Sequence, residues 1–534
     1  MLRVNEIKLP LDHSPEDLKR ALLTKLGADE SRLVSYAIFK RSPDARKKNA
    51  ILLIYSLDVE VDNEKEILQR SQSNPHVLPA PDTSYKFVSK SVGENKSRPV
   101  IIGSGPCGIF AALILAQMGF NPIVLERGKA VRERTKDTWD LWRKHILHPE
   151  SNVQFGEGGA GTFSDGKLYS QIKDPKHYGR KVIDEFIKAG APPEIAYVSK
   201  PHIGTFRLVG IVEKIRATIE SLGGEFRFQH KAADFIIKNN ELCEVALEGG
   251  QSVSANQVIL AIGHSARDTF EILHQRGVFI EAKPFSIGFR IEHPQSLIDR
   301  FRYGENAGHA ILGAADYKLV HHASNGRSVY SFCMCPGGTV VAAASEPGRV
   351  VTNGMSEYSR NERNANSGIV VGIDPRDYPG DVLAGMALQR HWEEKAFELG
   401  GKNYNAPAQL VGDFVARKGS TQLGSVVPSY KPGVTLGELD SSLPNYAIDA
   451  IREALPAFDK QIKGYFLHDA ILTGVETRTS SPIRITRDDN TLQSLNTKGL
   501  YPAGEGAGYA GGILSAAIDG IKVAEAVALS MQSS

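Results

Sequence analysis

The feature that most narrows what this chain can fold into is a strand, a glycine turn and a helix in direct succession. Pro99 to Ile102 is apolar and rich in β-branched residues, Gly103-Ser104-Gly105-Pro106-Cys107-Gly108 follows, and an apolar helix is expected as far as Met118. A second strand, Pro122 to Leu125, ends in Glu126. This is a βαβ unit with G-x-G-x-x-G spacing at its first turn. Gly103 permits the tight turn, Gly105 lets backbone approach a pyrophosphate, and Gly108 lets helix and strand pack closely. Ser104 and Pro106 belong to the same phosphate turn. The phosphates then meet the free N–H groups and positive dipole end of the helix. Glu126 stands 23 positions after Gly103 (126 − 103), where an acid accepts from a ribose diol and disfavours a 2′-phosphate. Arg127 comes next and is a further candidate contact. The whole stretch 99–120 is long enough to span a bilayer. Its Gly-Ser-Gly-Pro break and missing aromatic belt make it a buried strand, turn and helix instead.

A chain of 534 residues exceeds the roughly 250–300 residues at which single cores stop growing. Two or three domains are expected. Residues 1–72 read as a small α/β domain. Its strands are Val4 to Leu9, Leu33 to Phe39 and Ala50 to Val61, with a helix opening at Ser14-Pro15-Glu16-Asp17. Residues 73–97, rich in Ser, Pro and charge, read as a linker or strap. The expected plan is a doubly wound, Rossmann-like α/β nucleotide domain, discontinuous in sequence. It would occupy 98–280, be interrupted by an α+β substrate or cap domain over 281–475, and close over 476–534. Within it, 206–222 reads as a helix and 225–230, 232–237, 242–248 and 251–261 as strands. Helices are also expected at 383–399 and 446–454.

The net charge is +2 and there is no long basic tract, so binding driven by counterion release from nucleic acid is not expected. Four cysteines in so long a chain do not form a disulfide framework, and the start of the chain has no apolar signal core. A cytoplasmic protein with no membrane span is expected.

The glycine fingerprint alone does not separate FAD from NAD. Three later segments do. Residues 499–520 read GLYPAGEGAGYAGGILSAAIDG: a short strand, a glycine-rich loop and a final helix to about Met531. Residues 155–167 (FGEGGAGTFSDGK) suit a loop wrapping a dinucleotide, with Gly158, Gly159, Gly161, Thr162 and Ser164 as candidate contacts. Residues 258–265 (VILAIGHS) form a strand entering a loop at Gly263. On these motifs the chain resembles the superfamily of FAD-dependent oxidoreductases with glutathione-reductase-like and fumarate-reductase-like nucleotide domains. The resemblance implies that Gly504-Glu505 meets the ribityl-pyrophosphate of FAD. It also implies that the helix opening at Gly511-Gly512-Ile513 aims its N-terminus at the flavin N1/C2 carbonyl, a dipole effect of about 0.3–2 kcal/mol. Residues 258–265 resemble the superfamily's Ala-Thr-Gly loop, but Ile262 replaces the Thr and loses its hydroxyl. Residues 98–534 resemble a family known only as FAD-dependent dehydrogenases of unknown substrate, through SFCMCPGG (331–338), RNERNANSGIVVGI (360–373) and VETRTSSPIR (475–484). Residues 1–72 resemble the small domain that accompanies many of its members.

The reaction expected from this is hydride transfer between FAD and a small, anionic organic substrate. NADH, NADPH or another electron carrier is a possible second partner. Arg478, just before the closing segment, is the candidate to hold a carboxylate or the flavin edge; the bland alternative is a structural pair with Glu476. His202 is a candidate general acid or base. Cys333 and Cys335 form a C-x-C pair, which is either buried packing or a flavin-proximal redox pair; as a switch the pair would support an alternative function, a flavin redox sensor whose state changes partner binding. Arg290, His293, Arg349, Arg360 and Arg363 are cations of the inserted domain, either solvated or turned towards an anion. The basic turn Arg41 to Lys48 would support an RNA-linked flavoenzyme, but no aromatic platform accompanies it. No metal-ligand spacing and no second G-x-G-x-x-G occur.

Overall fold

The computed structural model describes residues 1–91 and 97–532. The expected linker 73–97 therefore lies partly outside the described residues, at 92–96.

Short strands that are apolar on both faces need a layer on each side. Four such strands and a half-buried edge strand, Glu225–Phe228, form one parallel sheet in the order Leu500–Pro502, Val258–Leu260, Val100–Ile102, Ile123–Glu126, Glu225–Phe228. Side chains alternate between the two layers, as strand geometry requires. Ile101, Val124, Ile259 and Tyr501 pack under the helices Pro106–Gln117 and Ile513–Gln532. Val100, Ile102, Leu125 and Leu260 face the other way, towards an antiparallel meander of strands Ala232–Lys238, Glu241–Leu247 and Ser252–Ser254. The two helices can touch because Gly520 has no side chain: a Cβ there would lie 2.2 Å from the Cys107 carbonyl oxygen.

The chain leaves this unit after residue 282 and returns at Ile483–Ile485. The interval carries a large, mainly antiparallel sheet. Its central strands run in the order Ser328–Ala342, Asn364–Ile373, Phe285–Pro294, Ile471–Glu476, Ala406–Leu410. Helices Ala384–Leu399 and Asn445–Asp459 cover it. Residues 1–79 form a four-stranded antiparallel sheet. Its helix Pro15–Leu26 starts in a capping box of Ser14 and Asp17 and stops at left-handed Gly27.

Two readings of local pattern are corrected. Residues 251–261 are two strands, Ser252–Ser254 and Val258–Leu260, in different sheets; an apolar run does not reveal a handover between sheets. The second strand of the N-terminal sheet continues past Phe39 to Asp44, because residues as far as Asp44 pair with Leu52 and its neighbours across a bulge. Among the described residues no helix is long and apolar enough to cross a membrane.

Candidate functional site

The carboxyl ends of the parallel strands open onto one elongated cavity. One wall comprises the first glycine turn, the 159–161 loop, Gly263 and the 504–513 segment; the opposite wall comes from the inserted sheet, including Phe332, Cys333 and Glu476. Gly103 holds φ +99°, and a Cβ there would sit 2.4 Å from the Ala261 carbonyl oxygen. Gly105 caps helix Pro106–Gln117 with no side-chain partner, so the first N–H groups of that helix are free of any side-chain cap. Gly159 presses on it: a Cβ on Gly159 would lie 2.8 Å from Gly105 Cα. At Gly263, Gly511 and Gly512 a Cβ would meet nothing within 4 Å. The wall is thus a backbone cradle with the uncapped N-terminus of helix Pro106–Gln117 in it, which fits the pyrophosphate and ribityl chain of a dinucleotide.

Glu126 is buried and ties the cradle together. Its Oε2 accepts from Ser104 N at 2.9 Å and Ser104 Oγ at 2.7 Å, and its Oε1 from Gly128 N at 2.8 Å and Gly156 N at 3.0 Å. Arg127 lines the cavity with its guanidinium on Asp268 (2.8 and 2.9 Å) and Glu150 (2.6 Å). Pro106, Ser164, Gly504, Glu505, Gly512 and Ile513 also line it. Burial pushes the Glu505 carboxyl up to about 7.

Several expected contacts face elsewhere. Gly108 lies under the turn, where a Cβ would be 1.9 Å from the Gly103 carbonyl oxygen; it serves packing. Gly158 and Thr162 sit behind the lining, Gly158 donating to the Ser104 carbonyl at 2.8 Å. His202 is also outside the lining. Its Nε2 contacts the Tyr358 carbonyl at 3.0 Å and its ring stacks on Tyr358, while burial and the charge of Arg360 push its pKa down. A half-buried imidazole bound to a carbonyl, beside Lys167 but outside the cavity lining, is poorly placed for acid–base work.

Arg478 does line the cavity, but its guanidinium is committed. It donates to Glu393 (3.0 and 2.9 Å), Ser265 Oγ (3.0 Å) and Ser345 Oγ (2.7 Å). Glu393, fully buried, also receives Arg267 at 2.7 and 2.9 Å. The expected alternative partner, Glu476, belongs to Arg290 instead. Arg290 is fully buried and also donates to the Cys333 carbonyl at 2.9 Å. His293 is buried against the Tyr465 carbonyl, and Arg360 pairs with Asp165 at 2.6 and 2.9 Å. Arg349 lies 3.9 Å from Glu346, and Arg363 is exposed near the Val427 carbonyl.

Three supports were not foreseen. Arg134, fully buried, donates to the carbonyls of Asn152, Val153 and Glu157, each at 2.7 Å, and so shapes the second glycine loop. Asp519 accepts from Gly504 N at 2.8 Å and is clamped by Arg487. Lys167, beside Cys333 in the lining, reaches the Met334 carbonyl and lies 3.6 Å from Asp165. Only Asp519 carried a sequence signal, as a charge in a largely apolar helix.

A glycine-lined cavity at the carboxyl edge of a parallel sheet defines a dinucleotide-binding class of protein. The model of a family described as FAD-dependent protein, C-terminal domain-like, matches residues 284–479, and that of a domain of unknown function matches residues 1–60. An uncharacterised protein of Clostridium beijerinckii is 50% identical over 532 residues, covering 98% of each chain. This chain belongs to that uncharacterised family of FAD-dependent proteins, and its cofactor is FAD. Among solved structures it is similar to glycine oxidase from Bacillus cereus, at 12% identity and TM-score 0.32, covering 81% of this chain and 95% of that one. It is also similar to L-proline dehydrogenase from P. horikoshii, at 14% identity and TM-score 0.33, covering 81% and 93%. Likenesses at this level carry no argument about the reaction.

Proposed function

We propose that the protein is an FAD-dependent oxidoreductase acting on a small, anionic organic substrate admitted between the parallel-sheet unit and the inserted sheet. The observation that carries this reading is one cavity with a backbone cradle on one wall and ionisable side chains on the other. When bound, FAD supplies hydride transfer at its flavin ring, and the protein supplies position and electrostatics.

The residues divide the work along the cavity. The Gly103–Gly105 turn and the start of helix Pro106–Gln117 receive the pyrophosphate. Glu126 orients that turn, and its Ser104 hydroxyl donor is the one that can rotate away to admit a ribose hydroxyl. Glu505 and the start of helix Ile513–Gln532 receive the ribityl chain and the flavin edge. Arg478, held by Glu393, acts as a fixed positive wall rather than a free clamp. Lys167 is the better partner for a substrate anion, because its nearest carboxylate is 3.6 Å away. NADH, NADPH or another carrier completes the electron exchange in this reading.

The test is an anaerobic visible spectrum of the purified protein, followed by titration with NADH, NADPH and a panel of small carboxylates. Released FAD and bleaching by one of these support the proposal. Protein that carries FAD and is bleached by no carboxylate or nicotinamide refutes the substrate class.

The RNA-linked alternative rests on the basic turn alone. There the Arg41 guanidinium lies over the Tyr197 ring, Arg46 pairs with Asp44, and Lys48 lies over the Phe301 ring, with Arg46, Lys47 and Lys48 exposed.

A further inference from the structure

We propose that Cys333 and Cys335 form a redox-active dithiol that exchanges two electrons with the flavin, making the protein a four-electron carrier. The proposal rests on the assignment of the cavity to FAD.

Position comes first. Cys333 lies in the cavity wall with Lys167 and Glu505. Cys335 lies directly behind it, fully buried, its Sγ donating to the Cys333 carbonyl at 3.3 Å. Of the other two cysteines, Cys107 lines the cavity on the glycine-turn wall, beside Gly504, and Cys243 is on the outer meander.

The backbone at this point departs from a regular strand. Pairing with strand Asn364–Ile373 slips between Phe332 and Cys335, which oppose Gly368 and Asn366. Three steps on one strand therefore match two on its partner. Cys333 takes φ +44°, a left-handed conformation that side chains other than glycine's rarely adopt. In a regular strand Cα atoms two apart are about 6.6 Å from each other. That is near the upper limit of about 6.8 Å for a disulfide. At this bulge the two thiols are close enough to share a hydrogen bond.

The charges favour the chemistry. Around the sulfurs stand Lys167, Arg290, Glu476 and Glu505, with Asp165 behind Lys167 and the Tyr317 hydroxyl near Cys335. The hydrogen bond from Cys335 and the Lys167 and Arg290 cations hold the Cys333 thiol well below its ordinary value, and Cys335 is pushed well above its own. One thiolate at the cavity and one retained thiol behind it is the asymmetry that disulfide exchange uses. From this state the Cys335 S–H bond breaks and one S–S bond forms; two electrons and one proton pass to oxidised flavin, which leaves it as the reduced anion. The reverse direction reduces the disulfide at the expense of reduced flavin. Because Cys335 is buried, the flavin cavity is the route for these electrons.

The experiment uses the full-length, FAD-loaded protein, oxidised with ferricyanide, desalted and titrated anaerobically with dithionite. Alkylation under denaturing conditions counts thiols before and after. The expected result is four electrons per FAD in the unmodified protein and two in Cys333→Ser and Cys335→Ser. In the unmodified protein the thiol count should rise from two to four of the four cysteines. Bound FAD that takes two electrons, with four thiols throughout, overturns this proposal alone. Protein that releases no FAD on denaturation overturns the cavity assignment and this proposal with it.

Discussion

Replacing Gly105 with alanine separates cofactor binding from folding. Gly105 has φ −74° and ψ −177°, ordinary extended backbone open to any residue. A Cβ there would meet nothing nearer than Gly159 Cα at 3.7 Å. The FAD-free protein should therefore tolerate Gly105→Ala, and a less flexible unfolded chain contributes about 0.4–1 kcal/mol in its favour. The same methyl group projects from the wall assigned to the pyrophosphate. Overpacking by one methyl in a close-fitting site costs about 1–3 kcal/mol, or about 5- to 150-fold in Kd. The assay is thermal unfolding of the FAD-free protein by circular dichroism, beside FAD titration followed by flavin fluorescence. Gly103→Ala is the control. With φ +99° and a Cβ 2.4 Å from the Ala261 carbonyl oxygen, it should lose stability as well as FAD. An unchanged Kd in Gly105→Ala, with a normal melting curve, would show that the pyrophosphate does not lie on this turn.

Glu393→Gln should destabilise the protein by about 3–5 kcal/mol, because it leaves the buried guanidinium groups of Arg267 and Arg478 without their shared carboxylate; urea unfolding measures it. Glu126→Ala should cost roughly 1–3 kcal/mol for each buried donor left unpaired, beginning with the amides of Gly128 and Gly156, and weaken FAD binding in parallel. For Glu505 the folded carboxyl is raised from 4.5 to about 7 by burial, so the folded state holds a proton that the unfolded state releases. Its contribution is full below pH 4.5 and is lost as pH rises through about 7. Glu505→Gln should therefore gain up to about 3 kcal/mol on wild type between pH 5 and 8. The buried histidines, including His264 lowered to about 3, cancel in that difference; a flat difference curve would contradict the assignment. His202→Asn should leave the FAD Kd unchanged, since the ring lies outside the cavity lining.

The sequence by itself determined the parts whose causes are local. Strand, glycine turn and helix over 99–118 are contiguous, and each residue's role follows from its neighbours within one turn. The capped helix at 15–26 and the closing strand and helix at 500–532 are legible for the same reason. Family resemblance added FAD, which spacing alone left open. Only the tertiary structure decided which polar groups meet. Arg478 reaches Glu393 across 85 residues and Arg290 reaches Glu476 across 186, and no periodicity encodes such a choice. It also decided which glycines face the ligand. Gly158 and Gly159 are neighbours in one loop, yet the second lines the cavity and the first sits behind it. The wall carrying Cys333 comes from a sheet folded far from the fingerprint in sequence. What brings it to the parallel strands is burial of apolar surface, a force without direction, and so the identity of the wall is fixed only when the whole chain has packed.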